Sequence, residues 1–358
     1  MRIGILTGGG DAPGLNAVIR AVVKSAAANG VETIGIEDGF AGLLEPAHWR
    51  PLTPKDTPGI LRRGGTILGT TNQRNPLACP DATGTPRDCS AQCIDTLRHL
   101  NLDALIVIGG DGTLAIAYEF HKRGVPLVCV PKTIDNDIVE TASTFGFDTA
   151  VSFATDAIDR LHTTAEAHHR VMVVEVMGRY AGWIALHAGV AGGADVILIP
   201  EIPFDLSKVG EHILTRDRLG ARFSIVVAAE GATPVGGGRV VVELGSAVRQ
   251  ERLGGIGFRV ASDLERAIGR ETRCVLLGHL QRGGAPTSAD RLLATRFGVH
   301  AVELVLARDW GCMVALTPPT LTAVARNAWS TVSGPCRITA ISSAPHGPSV
   351  SASVTSSQ

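Results

Sequence analysis

The sequence predicts an α/β fold with two three-layer domains, each built on a mainly parallel sheet. Two observations lead to this prediction. Apolar runs of strand length alternate with segments of helical periodicity, and most of these runs end at glycine-rich or polar turns. Such alternation is typical of parallel sheets that are covered by helices on both faces. Because ligands bind at the carboxyl ends of the strands in these sheets, the turns that follow the strands are the expected functional positions.

The length and composition limit the class of protein. The 358 residues suffice for two domains, and 33 Lys and Arg against 34 Asp and Glu leave a formal net charge of −1. No overall charge therefore attracts nucleic acid or an anionic membrane. No apolar run reaches the roughly 20 residues that span a bilayer. The segment from Met1 to Leu6 is predicted to be a strand and not a signal peptide, and seven cysteines without zinc-like spacing predict reduced thiols in a cytoplasm.

The predicted elements follow one another along the chain. The predicted strands cover residues 3–6, 33–36, 105–108, 127–130, 171–176, 196–199, 225–228 and 274–277. A helix is expected to begin near Leu15, and another is expected from Val151 to His168. Residues 75–90, rich in Pro, Thr, Asp and Cys, are expected to form an exposed loop.

The first strand runs into a turn of three glycines at residues 8–10. Glycines let backbone N–H groups approach a phosphate at a helix N-terminus, and Gly10 is the expected donor. The pattern is neither a Walker loop nor a GxGxxG fingerprint, so it does not favour a P-loop NTPase or a dinucleotide dehydrogenase.

A second turn of this kind, Gly-Gly-Asp-Gly, ends the apolar run at residues 104–108, and Thr113 is expected to cap the following helix. A carboxylate in such a turn would repel phosphate directly. Asp111 is therefore interpreted as the ligand of a divalent metal that bridges to phosphate oxygens. Taken alone, the turn is also common in purely structural positions.

The next apolar run leads into Pro-Lys-Thr-Ile-Asp-Asn-Asp at residues 131–137. Asp135 and Asp137 place two carboxylates in one polar loop, where they can accept a proton from a hydroxyl group. Lys132 and Thr133 add a cation and a hydroxyl. The combination indicates a group-transfer reaction.

Later strands are followed by charged side chains. Arg179 is expected to open a helix just after the strand at 171–176, where its charge can stabilise an anion or a transition state. Glu230 ends another apolar strand. Arg273, His279 and Arg282 surround a third strand and are interpreted as a cradle for a phosphomonoester.

Five motifs, in this order, resemble those of the 6-phosphofructokinase family: residues 8–16, 109–112, 131–137, 177–179 and 278–284. The likeness extends from Met1 to about Leu316. It implies transfer of the γ-phosphoryl group of ATP, with Mg²⁺, to the 1-hydroxyl of fructose 6-phosphate in glycolysis. It also implies a homotetramer or homodimer, with no nucleic acid or membrane partner.

The resemblance assigns roles motif by motif. It makes Asp135 the general base beside Thr133, Asp111 the magnesium ligand, and Arg179 the group that stabilises the transferred phosphoryl. The implied contacts to the donor are Gly10, Arg74, Gly110, Asp111, Gly112 and Thr113. The implied contacts to the sugar phosphate are Thr133, Asp135, Arg170, Met177, Gly178, Arg179, Glu230, Arg273, His279 and Arg282. Of these, Arg170 and Arg273 match residues that reach in from a neighbouring subunit.

The resemblance also implies domain boundaries. The larger domain is expected to contain residues 1–146 and 281–335 and the smaller one residues 147–280, with the active site in the cleft between them.

The segment from Trp310 to Gln358 has no Asp, Glu or Lys, and disorder is predicted for residues 340–358.

Three alternatives stay open at this point. Gly112 leaves space and no charge beside the donor's inner phosphate, which favours ATP, whereas Lys132 is typical of pyrophosphate users. The donor-contacting arginine of the family is displaced here, since Asn72 stands at its place and Arg74 is the substitute. That departure and the unusual tail motivate a non-catalytic sugar-phosphate or nucleotide-binding subunit. Gly-Gly-Asp-Gly-Thr also resembles lipid and NAD kinases, but the later motifs argue against them.

Overall fold

The structure is a computed structural model that describes residues 1–72, 74–80, 84–243 and 252–325. The described residues form two compact units. The first contains residues 1–150 and 282–325, and the second contains residues 151–243 and 252–281. The predicted disorder of residues 340–358 lies outside the described residues. Within the described part of the chain, no helix is long and apolar enough to cross a membrane.

The first unit is built on a seven-stranded sheet. Its strands are β1 (Arg2–Thr7), β2 (Glu32–Ile36), β3 (Trp49–Leu52), β6 (Ala104–Gly109), β7 (Leu127–Pro131), β14 (Cys312–Thr317) and β15 (Thr320–Ala325), in the spatial order β15-β14-β7-β6-β1-β2-β3. The five inner strands are parallel, and the two edge strands β3 and β15 pair antiparallel with their neighbours. A two-stranded ribbon, β4 (Cys79–Pro80) and β5 (Pro86–Arg87), stands apart from this sheet.

Helices cover both faces of this sheet. They are α1 (Leu15–Ala28), α2 (Ser90–His99), α3 (Asp111–Lys122) and α8 (Ser288–Leu306). In β6, Ile106 and Ile108 pack in the core on the α1 and α8 side, whereas Leu105 and Val107 pack in the core on the α2 and α3 side. This alternation is what a strand buried on both faces requires, and the predicted three-layer arrangement is confirmed.

The second unit has a four-stranded, fully parallel sheet. Its strands are β8 (Val171–Val176), β9 (Val196–Leu198), β10 (Ser224–Ala229) and β13 (Thr272–Leu276), in the order β13-β8-β10-β9. The helices are α4 (Phe147–His168), whose first turn belongs to the first unit, α5 (Trp183–Ala191), α6 (Leu206–Arg218) and α7 (Ile256–Ile268). A second ribbon pairs β11 (Val241–Glu243) with β12 (Arg252–Leu253).

All eight predicted strands are present, each within two residues of its expected bounds. The sequence reading missed the edge strands β3 and β15 and the inner strand β14. It treated residues 75–90 as one exposed loop, whereas the described part of that segment forms the β4–β5 ribbon and buries Cys79. The reason is physical: Cys79 packs in the same apolar core as Leu97 and Phe120, a long-range contact that local composition does not encode.

Candidate active site

Three turns with predicted roles follow three adjacent strands of the first unit. The turns at residues 8–10, 110–113 and 132–137 follow β1, β6 and β7, which lie side by side in the sheet. Because these strands are parallel, their carboxyl ends share one edge. The fold therefore brings together residues that are separated by more than a hundred positions in the chain.

The glycine-rich turn after β1 is fixed by its neighbours. The N–H of Gly8 donates to the carbonyl of Ile108 at 2.9 Å, and the N–H of Gly9 donates to the carbonyl of Thr71 at 3.2 Å. The hydroxyl of Thr70 donates to the carbonyl of Gly9 at 2.6 Å. Thr70 and Thr71, which the sequence analysis did not select as site residues, therefore hold this turn. Arg74, which was selected, is exposed.

The turn after β6 differs in one respect from the prediction. The helix begins at Asp111 with Gly110 as its N-cap, so the prediction that Thr113 caps the helix was wrong. Thr113 is buried in the first turn instead, and a Cβ atom on Gly8 would lie 2.7 Å from its Cγ2. The absence of a side chain at Gly8 thus makes room for Thr113. A Cβ atom on Gly112, by contrast, would have no neighbour within 4 Å, so that position is open.

Two cationic side chains, those of Lys132 and Arg282, bind backbone carbonyls of the turn after β1. Lys132 is only 3% exposed, and its ammonium donates to the carbonyl of Gly10. Burial, and to a smaller extent the nearby charge of Arg282, lowers the pKa of Lys132 to about 8, against the opposing effect of Asp11, Asp135 and Asp137. The guanidinium of Arg282 donates to the carbonyl of Asp11 at 3.0 Å.

The loop after Lys132 is held in an unusual backbone conformation. Asn136 has a φ of 52°, in the left-handed region, and its side-chain oxygen accepts from the N–H of Thr144 at 2.9 Å. The hydroxyl of Thr144 donates to the carbonyl of Thr133 at 2.8 Å, and the hydroxyl of Thr133 accepts from the N–H of Asp135 at 3.0 Å. These bonds fix the direction of the loop that carries both carboxylates.

Three carboxylates of the first unit interact electrostatically. Burial, together with the charges of Asp135 and Asp111, raises the pKa of Asp137 to about 7. Burial and the charge of Asp135 also raise the pKa of Asp111. Carboxylates that interact in this way favour binding of a cation or a proton. Nevertheless, no group of three or more His, Cys, Asp or Glu side chains forms a ready-made metal site within the described residues.

The second unit carries its predicted residues at the carboxyl ends of β8, β10 and β13. Met177, Gly178 and Arg179 follow β8, Glu230 follows β10, and His279 follows β13. The N–H of Glu230 donates to the carbonyl of Val176 at 2.8 Å. These three strands are adjacent in the sheet, so the residues share one edge.

Arg179 does not open a helix, and that prediction was wrong. Helix α5 begins at Trp183, because the chain first makes a tight turn at Gly178, whose φ is 141°. The N–H of Gly231 donates to the carbonyl of Gly178 at 3.0 Å, and a Cβ atom on Gly231 would lie 2.1 Å from the carbonyl oxygen of Arg179. The Arg179 backbone is thus packed against the turn that follows β10, and its side chain is half-buried.

Arg170 and Arg273 lie at the opposite end of the same sheet. Arg170 directly precedes β8, Arg273 is the second residue of β13, and the two strands pair in register from their first residues. Glu271 joins the two arginines: its carboxylate lies 2.9 Å from Nε of Arg170 and accepts from Arg273. The pKa of Glu271 is lowered chiefly by its hydrogen bond to Arg170. Since β8 has six residues, a strand of that length separates the two edges by roughly 20 Å.

Comparisons with known proteins agree on one family. The sequence model of the family described as phosphofructokinase matches residues 2–305. The chain is 56% identical over 315 residues to the ATP-dependent 6-phosphofructokinase of Chloroflexus aurantiacus, covering 88% of this chain and 87% of that protein. It is 52% identical over 319 residues to the pyrophosphate–fructose 6-phosphate 1-phosphotransferase of Amycolatopsis methanolica, covering 88% and 90%.

A solved structure has the same fold. The T-state crystal structure of Pichia pastoris phosphofructokinase matches with a TM-score of 0.79 and 31% identity over 92% of this chain. This chain spans 35% of the length of that yeast protein.

Proposed function

The chain belongs to the phosphofructokinase family, and from that premise we propose that it transfers the γ-phosphoryl group of ATP to the 1-hydroxyl of fructose 6-phosphate. The products are fructose 1,6-bisphosphate and ADP. The observation that carries the proposal is the meeting of the glycine-rich turn at 8–10 with Asp111 and Asp135 at one sheet edge. A carboxylate beside a phosphate cradle serves proton removal, which binding alone does not need.

The chemical step assigns a role to each side chain. Asp135 removes the proton of the 1-hydroxyl, and Thr133, whose hydroxyl accepts from the N–H of Asp135, lies beside the reacting centre. Charge spreads over the equatorial oxygens of the transferred group, so donors and cations must surround it. Gly10 supplies a backbone N–H to the donor phosphates, and Arg179 supplies the cation. Gly110 and Thr113 keep the second turn close to the phosphates.

Magnesium fits this arrangement at Asp111. Mg²⁺ in phosphoryl-transfer sites is usually held by one or two carboxylates together with substrate phosphates and water, so a complete protein cage is not required. The elevated pKa of Asp111, caused by burial and by Asp135, supports a position where a divalent cation is stabilising. When bound, the ion neutralises charge on the phosphate oxygens.

The acceptor contacts are the residues for which the resemblance implies this role. Met177 and Gly178 line the sugar site, Glu230 accepts hydrogen bonds from sugar hydroxyls, and His279 and Arg282 bind the sugar with its 6-phosphate. The turn geometry of Gly178 and the hydrogen bond between Glu230 and Val176 support a fixed edge of β8 and β10 for this purpose.

ATP is the proposed donor, and pyrophosphate is the second candidate. Gly112 has open space around it, which leaves room for the inner phosphates of ATP. Lys132 is buried, and its ammonium donates to Gly10, so it supports the turn in place of contacting the donor. The presence of Lys132 and the similarity to the Amycolatopsis enzyme favour pyrophosphate. Arg74, which is exposed, is the proposed side-chain contact to the donor.

We also propose that the enzyme is a cytoplasmic homo-oligomer, a dimer or a tetramer. Arg170 and Arg273 lie roughly 20 Å along the sheet from the acceptor residues, which supports their service to a neighbouring subunit's site. All six cysteines among the described residues are free thiols, as expected in a reducing compartment.

The test is a paired assay of fructose 1,6-bisphosphate formation with ATP and with pyrophosphate, both with Mg²⁺. We expect turnover with ATP, and we expect Asp135→Ala to lower kcat by about 10²–10⁴ because the general base is lost. Equal or faster turnover with pyrophosphate overturns the donor assignment. Binding of fructose 6-phosphate without turnover under either donor overturns the catalytic proposal and favours a binding subunit.

A further inference from the structure

A buried carboxylate in β8 has no role in the proposed reaction. Glu175 is 2% exposed. Its Oε1 accepts from the N–H of Gly255 at 2.9 Å, and its Oε2 accepts from the N–H of Gly257 at 2.7 Å. Gly255 is the N-cap of α7, and Gly257 lies in the first turn of that helix. The carboxylate therefore binds two N–H groups that have no partner within the helix, at the end where the helix dipole favours negative charge.

The glycines of α7 are matched to this carboxylate. A Cβ atom on Gly257 would lie 2.9 Å from the Cβ atom of Glu175 and 2.9 Å from the sulfur of Cys274. Gly255 has a φ of 92°, a conformation that other residues rarely adopt. The helix thus approaches β8 more closely than a side chain at Gly257 would permit. Gly255 instead supplies the backbone conformation that starts the helix.

Glu175 also connects two segments of the proposed acceptor site. It stands two residues before Met177, the first residue of the β8 turn. Its carbonyl accepts from the N–H of Leu277 at 3.0 Å, just where β13 ends and the chain leads to His279. One residue therefore bonds to the start of α7 through its side chain and to the end of β13 through its backbone.

Burial of a carboxylate opposes folding unless its oxygens are well bonded. Burial raises the pKa of Glu175, and the N–H groups of Gly257 and Gly255 lower it in part. An apolar side chain at this position would avoid this cost, since Val173, which precedes Glu175 by two residues in β8, packs in an apolar core with Val260 of α7. The presence of a buried, well-bonded carboxylate thus indicates a requirement for a fixed geometry.

We propose that Glu175 is a positioning residue of the acceptor site. By tying the first turn of α7 and the end of β13 to β8, it fixes Met177, Gly178 and His279 relative to one another. It acts through these residues and does not contact the sugar phosphate itself. This inference rests on the proposed function, because it names a support for the same site.

The test compares Glu175→Gln with a matched control, Asp290→Asn. Asp290 is also 2% exposed, and it also bonds to the first turn of a helix, accepting from the N–H of Thr149 in α4 at 2.8 Å. Both substitutions replace one carboxylate oxygen by an amide group and should lower Tm. Only Glu175→Gln should weaken the binding of fructose 6-phosphate. Its KM and its calorimetric Kd for this substrate should each rise about tenfold, because a small misplacement of binding groups has a large effect. The KM for ATP should change less than about twofold in both variants.

The inference is overturned if Glu175→Gln leaves KM and Kd for fructose 6-phosphate within about twofold of wild type. It is also overturned if Asp290→Asn raises these two constants as much as Glu175→Gln does. If Glu175→Gln is insoluble, Glu175→Asp, which keeps the charge but shortens the side chain, is expected to give the same selective loss. The calorimetric Kd separates the proposed catalysis from the proposed positioning role of Glu175. A wild-type protein that binds fructose 6-phosphate without turnover overturns only the proposed catalysis, whereas one that does not bind it overturns both.

Discussion

The two edges of the four-stranded sheet carry different chemistry. The edge at the carboxyl ends holds the turn of Met177 to Arg179, with Glu230 and His279 on the neighbouring strands. The edge at the amino ends holds Arg170 and Arg273, bridged by Glu271. Both edges are predicted to bind the same sugar phosphate, yet a six-residue strand, β8, separates them.

This difference shows how a sheet distributes a binding site. A fructose bisphosphate is shorter than the roughly 20 Å between the edges, so one molecule cannot contact both edges of one chain. If the arginines at the amino edge bind substrate, they bind it in another chain. A solvated structural ion pair is the competing explanation for the same residues, because exposed pairs of this kind are common.

The largest expected effect that separates these explanations is that of Arg170→Ala. A guanidinium that binds a 6-phosphate through charge-assisted hydrogen bonds contributes enough that its loss should raise KM for fructose 6-phosphate by about 10–100-fold. The KM for ATP and the Tm should change little. Steady-state kinetics with each substrate varied in turn measures this.

The control for Arg170 is an ion pair at the amino edge of the other sheet. Arg2 and Glu32 form a salt bridge at 2.7 Å with side chains 39% and 67% exposed, and neither has a predicted role. Glu32→Gln should leave both KM values unchanged. If Arg170→Ala behaves like Glu32→Gln, the pair of Arg170 and Glu271 is only structural.

A smaller effect is expected at the carboxyl edge of the first sheet, where Asp137 lies. Its pKa is raised to about 7 in the folded protein, whereas the pKa of an Asp in an unfolded chain is about 3.9. Between these pH values the folded state holds a proton that the unfolded state has lost, so this group's contribution to stability falls as pH rises through that window.

Asp137→Asn removes this dependence. Its Tm, measured without Mg²⁺, should therefore exceed that of wild type by a margin that grows between pH 5 and pH 8, by at least about 2 °C. Asp156→Asn is the control, since the Asp156 side chain is 60% exposed. A margin for Asp137→Asn that is constant with pH, or that shrinks, would contradict the account.

Much of this arrangement could be predicted from the sequence. Strand β6 is a continuous apolar run that ends in glycine, and β8 is an apolar run interrupted only by Glu175, so their bounds and their order along the chain can be read directly. The rule that sites form at the carboxyl ends of parallel strands then placed Asp111, Asp135 and Glu230 correctly relative to their strands.

The remainder depends on contacts that local patterns do not contain. The sequence identified Lys132 as a residue that distinguishes the two donors. Its ammonium instead donates a hydrogen bond to the carbonyl of Gly10, and a local pattern cannot reveal a contact between residues 122 positions apart. Thr113 resembles a helix cap, yet it fills the space left by Gly8, which follows another strand, β1. Glu175 has the pattern of a strand residue, and only the fold reveals that helix α7 begins at its carboxylate.

The most direct test of a site shared between chains is complementation. Asp135→Ala and Arg170→Ala are co-expressed so that mixed oligomers form, and the rate of fructose 1,6-bisphosphate formation is measured at limiting fructose 6-phosphate. If Arg170 serves the neighbouring chain, each mixed dimer regains one intact site, or about a quarter of all sites for random pairing. Co-expression of Asp135→Ala with Arg179→Ala should restore nothing, because both residues serve their own chain's site. Equal absence of activity in both mixtures, with mixed oligomers present, would contradict the account.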